Sequence, residues 1–253
     1  MTTVLVTGGT SGLGRAMAVA LAATGARVAL TSRDPSRAAA VAASIPGAIG
    51  LGLDVRSSAA AAVDEAWSRL GGVDLLVNNA GIGMRTVNPA FMTDPQPFWQ
   101  VSPDGFRAVI DTNLTGYFLV AREVVPRMLT AGAGRIVNIA VNESTMTRAG
   151  FTPYGPSRAG SESLSRIMAA DLRGSPVTVN LLLPGGATAT GMVPPGTQAP
   201  LLSPDIMGPP IVWLASDAAA GVHDQRIVAT EFGTWLAARG TDSGVDQPGP
   251  GLP

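Results

Sequence analysis

Short runs of aliphatic and β-branched residues alternate along this chain with longer stretches in which apolar positions recur at helical spacing. Residues 3–7, 27–31, 49–53, 73–77, 135–139, 177–183 and 226–229 read as strands. The first of them carries apolar side chains on successive positions, the pattern of a strand buried on both faces. Residues 12–24, 58–70, 103–129 and 153–172 read as helices. Asp34-Pro35, Ser102-Pro103 and Ser203-Pro204 each mark a helix start, with a capping side chain followed by proline at the first helical position. The helix opened by Ser203 runs toward residue 215. Strand–helix alternation at this spacing demands crossover connections, so the expected fold is α/β: a doubly wound parallel sheet with helices on both faces. No shift in composition divides it, so one domain over residues 1–239 is expected, with a flexible tail over 240–253. Two long loops, 83–101 and 186–203, follow strands on the side where open α/β sheets bind ligands.

Composition narrows the chemistry. All 17 basic residues are arginine; the chain has no lysine and no cysteine, and His223 is its single histidine. Schiff-base and thiol catalysis are excluded, as are cysteine-based metal sites, and no metal site is expected. Lone among possible bases, His223 reads as a surface or interface residue. A net charge of −1 gives no footprint for nucleic acid or an anionic membrane. No apolar run reaches bilayer length, and the first residues lack the pattern of a secretory signal, so a cytoplasmic location is expected. Hydroxyls, carboxylates, amides, guanidinium groups or a borrowed cofactor must do any chemistry.

A cofactor is where the motifs lead. Thr7-Gly8-Gly9-Thr10-Ser11-Gly12-Leu13-Gly14 joins the first strand to the first helix. Glycines there let the backbone approach a pyrophosphate, whose charge the free N–H groups of the helix N-terminus stabilise. The spacing resembles the Thr-Gly-x-x-x-Gly-x-Gly turn of the short-chain dehydrogenase/reductase family. Further matches follow in order: Asp54-Val55, Asn78-Asn79-Ala80-Gly81, Asn113, Tyr154 with a basic residue four positions on, and Pro184-Gly185. The resemblance covers about residues 3–229. It implies a Rossmann-like fold and a nicotinamide cofactor held by Gly8, Thr10, Ser11, Gly12, Leu13, Gly14, Asp54, Val55, Asn79, Ala80, Gly81, Tyr154, Arg158, Pro184 and Gly185. Thr188 or Thr190 would contact the carboxamide; residues 186–192 run one longer than the usual pattern, which leaves that choice open. After the second strand, Ser32 replaces the carboxylate that would bind a ribose 2′-hydroxyl, and Arg33 offers a fork suited to a 2′-phosphate, with Arg37 one turn on. NADP(H) is therefore the expected cofactor.

The resemblance also implies that Tyr154 exchanges a proton with a substrate oxygen while Asn113 supports a water relay. Two positions depart from the family. Where it keeps a lysine, this chain has Arg158, on the same helical face as Tyr154. A permanent cation there favours tyrosinate and can donate to ribose, but cannot readily release a proton. Where the family keeps a serine, thirteen residues before Tyr154, stands Val141, preceded by Ala140; neither donates a hydrogen bond. Asn142, Ser144 and Thr145 are near, and Asn142 is the candidate donor. Met84, Phe91, Met92, Phe98 and Trp99 in the first long loop, with Met192, Val193, Leu201 and Leu202 in or beside the second, suggest a bulky hydrophobic carbonyl substrate. The missing donor suggests two alternatives, an imine reductase or a catalytically weak NADP-binding scaffold. The resemblance further implies a homodimer or homotetramer built through the helices at 103–129 and 153–172.

Overall fold

A computed structural model describes residues 1–57 and 59–242. Its seven strands are β1 (Thr3–Val6), β2 (Arg27–Ser32), β3 (Ala48–Gly52), β4 (Leu75–Asn78), β5 (Gly134–Ile139), β6 (Val177–Leu183) and β7 (Arg226–Val228). They form one sheet in the order β3-β2-β1-β4-β5-β6-β7, and every neighbouring pair is parallel. Alternation within each strand sends side chains to two separate cores. Val4 and Val6 of β1, with Leu75 and Val77 of β4, face one side of the sheet. There α1 (Gly12–Ala23), α2 (Pro35–Ala42), α8 (Gly208–Ala215) and α9 (Phe232–Asp242) cover them. Leu5 and Leu76 face the other side, under α3 (Ala60–Leu70), α5 (Gly116–Ala131) and α7 (Tyr154–Asp171). Each such buried aliphatic side chain stabilises the fold by about 1.5–3 kcal/mol. This is the single-domain, doubly wound, Rossmann-like arrangement that the alternating pattern anticipates. Its crevice lies where the chain reverses direction across the sheet, between β1 and β4.

Helix starts follow the capping signals. Asp34 accepts from the backbone N–H groups of Ser36 and Arg37, and Ser102 from that of Gly105. Ser203 likewise caps its segment, but the turn Pro204–Met207 is a tighter 3-10 helix, after which Gly208-Pro209-Pro210 restarts the chain as α8. The expected single helix over 103–129 is interrupted. It consists of α4 (Pro103–Ile110), a π-helical turn at Asp111–Thr115, and α5. The wider turn surrounds Asn113, whose side chain bonds outside the helix. Two α-helices among the described residues have no counterpart in the pattern reading. One is the single turn α6 (Glu143–Met146). The other is α9, whose Phe232 and Trp235 pack with Trp213 of α8. Phe232, Trp235 and Leu236 stand at helical spacing, so α9 carried a readable signal. It runs through the expected domain boundary at 239/240; the rest of the expected tail, 243–253, lies outside the described residues. Among the described residues no helix is long and apolar enough to cross a membrane.

Behind the crevice the second core contains a buried polar chain. Asn78 Nδ2 donates to Asn138 Oδ1 at 3.0 Å, and Asn138 Nδ2 donates to Ser165 Oγ at 2.8 Å, tying β4 to β5 and β5 to α7. Asn78 is fully buried and Asn138 1% exposed, so neither has water as an alternative partner. Asn138→Ala should therefore lower the unfolding free energy in urea titration by about 1–3 kcal/mol, because Asn78 and Ser165 lose a partner in a dry site. An unchanged midpoint would show that the chain of bonds is not structural.

Candidate active site

The turn after β1 is built against the turn after β4. Thr7 Oγ1 accepts from the backbone N–H groups of Asn79 and Ala80 at 3.0 and 3.1 Å. Asn79 Nδ2 donates back to the carbonyls of Thr7 and Gly8. A side chain at Gly14 would collide with Asn79 Nδ2 and the Gly8 carbonyl, so Gly14 serves this close packing and stands behind the wall of the crevice, not in it. Gly185 is similar: φ is +97°, and a side chain there would meet Thr230. Gly8, Thr10, Ser11, Gly12 and Leu13 do line the cavity, whose volume is about 590 Å³. The Ser11 side chain does not cap α1, leaving the first-turn N–H groups of that helix free of side-chain partners. An uncapped N-terminus behind a glycine turn fits a pyrophosphate.

Farther along the wall, Ser32 Oγ accepts from the backbone N–H of Asp34, and Arg33 and Arg37 line the cavity beside it. Asp54 and Val55 complete this end. Arg56 grips the Asp54 carboxylate with Nε and Nη2, the latter at 2.6 Å, and that hydrogen bond holds the carboxyl below its ordinary range. Pro184, Thr188 and Thr190 line the opposite wall. Thr188 Oγ1 donates to the Gly186 carbonyl, and a bridge between Thr188 and Leu202 staples the second long loop to itself.

Tyr154 opens α7, with Arg158 one turn on. Both line the cavity. The Arg158 guanidinium lies between two phenol rings, 5.3 Å from the centroid of Tyr154 and 5.8 Å from that of Tyr117. Its Nη1 donates to Tyr117 Oη at 2.9 Å and to the Ile139 carbonyl at 3.1 Å; Tyr117 Oη in turn donates to Ile139. Arg158 is 3% exposed and has no carboxylate partner among the described residues. Burial works against its charge, but the two tyrosines outweigh that and hold its pKa above the ordinary arginine value. Burial pushes the Tyr117 phenol up despite the neighbouring cation, so it serves here as a neutral hydroxyl. Gly81 completes the nest, since a side chain there would collide with the guanidinium. Tyr117 is the partner of Arg158 that the motif reading did not reach. A tyrosine four positions after Asn113, facing an arginine where the family keeps lysine, was the available signal.

Asn113 is fully buried and does not line the cavity. Its Oδ1 accepts from the backbone N–H of Ile82, while its Nδ2 donates to the Ile82 carbonyl and to Ser157 Oγ. The π-helical turn thus delivers an amide that clamps the β4 turn to α7. Asn142 lines the cavity, but its Nδ2 donates to the Gly185 carbonyl at 3.0 Å. Ala140 and Val141 form apolar wall beside it. Met84, Phe91 and Phe151 pack with Tyr154 as a small core under the first loop and present apolar surface to the cavity, as do Met92, Met192, Val193 and Leu201. Phe98 and Trp99 do not: the 3-10 turn Phe98–Gln100 leaves them 69% and 71% exposed, packed edge-on against each other. Leu202 also turns away, onto Gly186. His223 bridges β6 and the end of α7, with Nδ1 accepting from the Val179 N–H and Nε2 2.7 Å from the Ala169 carbonyl, a structural role.

The sequence matches the short chain dehydrogenase family over residues 2–200. It is 38% identical over 182 residues to the 2-dehydro-3-deoxy-L-rhamnonate dehydrogenase (NAD(+)) of Sphingomonas sp. strain SKA58, covering 71% of this chain and 70% of that one. It is 34% identical over 232 residues to a 3-oxoacyl-(acyl-carrier-protein) reductase of Synechocystis sp., covering 85% and 90%. Among solved structures, the 3-ketoacyl-(acyl-carrier-protein) reductase of Brucella melitensis complexed with NADH superposes with a TM-score of 0.79 at 28% identity, over 90% of this chain and 96% of that one.

Removing the Tyr117 hydroxyl tests the guanidinium nest. Tyr117→Phe keeps the ring but leaves a buried charged donor short of an acceptor, which should cost about 1–3 kcal/mol of unfolding free energy. Unaltered stability in urea titration would mean that Ile139 alone satisfies Arg158.

Proposed function

Because the chain belongs to the short-chain dehydrogenase family, and so uses a nicotinamide dinucleotide, we propose that it is an NADP(H)-dependent oxidoreductase. It interconverts the carbonyl and alcohol forms of a bulky hydrophobic substrate, with Tyr154 as proton donor or acceptor. The observation that carries this reading is Tyr154 itself, set in the cavity wall with a buried cation 5.3 Å from its ring. The dinucleotide supplies or accepts the hydride. The chain's own residues do the rest. The N-terminus of α1 and the turn at Gly8–Leu13 hold the pyrophosphate. Ser32, Arg33 and Arg37 accommodate a 2′-phosphate, since position 32 carries a hydroxyl where a carboxylate would repel it. Thr188 and Thr190 flank the nicotinamide end. Arg158 supplies a fixed positive charge beside Tyr154. The apolar bed of Met84, Phe91 and Phe151 excludes water from the reacting oxygen.

The apolar Ala140 and Val141 favour a second reading, reduction of an iminium ion, which needs no donor at its electrophilic carbon. Arg158 opposes it, because a buried cation repels a cationic substrate, so the carbonyl reading is preferred. An NADP-binding scaffold without turnover is the remaining alternative. We further propose that subunits associate through α5 and α7, which expose Phe118 and Ile167 at 45% and 55%.

Two variants check the reading. Tyr154→Phe should abolish turnover of ketones while leaving the NADPH dissociation constant unchanged by fluorescence titration. NADPH binding by the unaltered chain with no turnover across ketones and cyclic imines would favour the scaffold. Ser32→Asp should reverse the preference for NADPH over NADH, because a carboxylate there repels a 2′-phosphate and accepts from a free 2′-hydroxyl. An unchanged preference would remove Ser32 and Arg33 from cofactor selection.

A further inference from the structure

The carbonyl reading leaves one role unfilled: Ala140 and Val141 offer nothing to the substrate oxygen opposite Tyr154. We propose, resting on that reading, that the Thr145 hydroxyl fills this role and hydrogen-bonds the reacting oxygen. The other side-chain hydroxyls of the cavity wall are already engaged or misplaced. Thr86, Thr112, Thr188 and Thr197 each donate to a nearby backbone carbonyl. Ser32 lies beside Arg33 and Arg37 at the far end of the wall, and Thr190 stands against Gly12 of the phosphate turn. Thr10 and Ser11 belong to the phosphate turn. Away from that turn, Thr145 and Tyr154 remain. Thr145 lines the cavity half-buried, and its hydroxyl has no hydrogen-bond partner among the described residues. Ser144 is exposed and outside the cavity wall. The Asn142 amide is tied to Gly185.

Backbone contact brings the helical turn that carries Thr145 to the start of the helix that carries Tyr154. Gly155, immediately after Tyr154, lies so close to the Met146 carbonyl that any side chain would collide with it. Residues 145–146 of α6 and 154–155 of α7 are therefore held together. The Thr145 N–H closes the turn onto the Asn142 carbonyl at 2.9 Å. The donor that the end of β5 lacks at Val141 is thus supplied four residues later, from the one-turn helix.

The assignment adds no covalent step. During reduction, hydride adds to the carbonyl carbon, the C=O π pair moves to oxygen, and oxygen takes the Tyr154 proton. Thr145 donates a hydrogen bond to that oxygen, and the bond strengthens as negative charge grows there.

The test uses the full chain with acetophenone, cyclohexanone and ethyl acetoacetate. Thr145→Val should lower kcat/KM on the best of these ketones about 100- to 1,000-fold, mostly in kcat, as loss of an oxyanion donor does. Thr145→Ser should recover most of that activity. A second readout avoids turnover: calorimetric titration of the same ketone into the enzyme–NADP+ complex should show weaker binding by Thr145→Val. NADPH affinity should be unchanged, and adding Val141→Ser to Thr145→Val should restore part of the rate. If Thr145→Val also loses NADPH affinity, Thr145→Ala decides on the same measurements. An active parent whose Thr145→Val variant matches it in kcat/KM and ketone affinity overturns this inference and leaves the carbonyl reading standing. A parent that binds NADPH yet turns over none of the ketones overturns both.

Discussion

The structure around the cavity depends on burying one guanidinium without a carboxylate. Taking a cation out of water costs several kcal/mol even after the protein relaxes. Here the compensation comes from dipoles alone: the Tyr117 hydroxyl, the Ile139 carbonyl and the faces of two phenol rings. Those groups come from three elements. Arg158 and Tyr154 come from α7, Tyr117 from α5 and Ile139 from the end of β5, while Gly81 after β4 leaves the space. A shorter ammonium at position 158 would present its charge differently to both acceptors. Arginine there is thus matched by Tyr117.

Around that point the cavity divides into halves of different construction. The dinucleotide half is backbone, cross-tied by Thr7 and Asn79 and by the Asn113 clamp on Ile82. Its geometry is fixed before any ligand arrives, which lowers the ordering cost of binding. The other half is made of two long loops and the single turn α6, with a small apolar core around Tyr154. Hydrogen bonds within the loops close most of its hydroxyls onto carbonyls. Its surface is therefore mostly apolar, with hydrogen bonding confined to a few groups around Tyr154.

Asn113 illustrates how the two levels of description meet. The motif marked it as part of the site, and the structure keeps it there without giving it a place in the cavity wall. Its amide is spent on Ile82 and Ser157, and the π-helical turn that delivers it breaks a helix whose apolar spacing is continuous. Gly14 and Gly185 tell the same story, since close packing explains them without contact to a ligand.

By itself the sequence determined the alternation of strands and helices, the parallel sheet, the glycine turn after β1, and the pairing of Tyr154 with a cation one turn away. These rest on local periodicity and on motifs within a few residues, where physics acts through neighbours in the chain. It also carried α9 in the spacing of Phe232, Trp235 and Leu236. The tertiary structure alone decided that Tyr117 holds Arg158, that the Asn142 amide is occupied, that Phe98 and Trp99 face outward, and that α6 packs against the start of α7. The first two depend on segments tens of residues apart in sequence meeting in space. Hydrogen-bond partners and exposure are set by that meeting, and no local pattern encodes it.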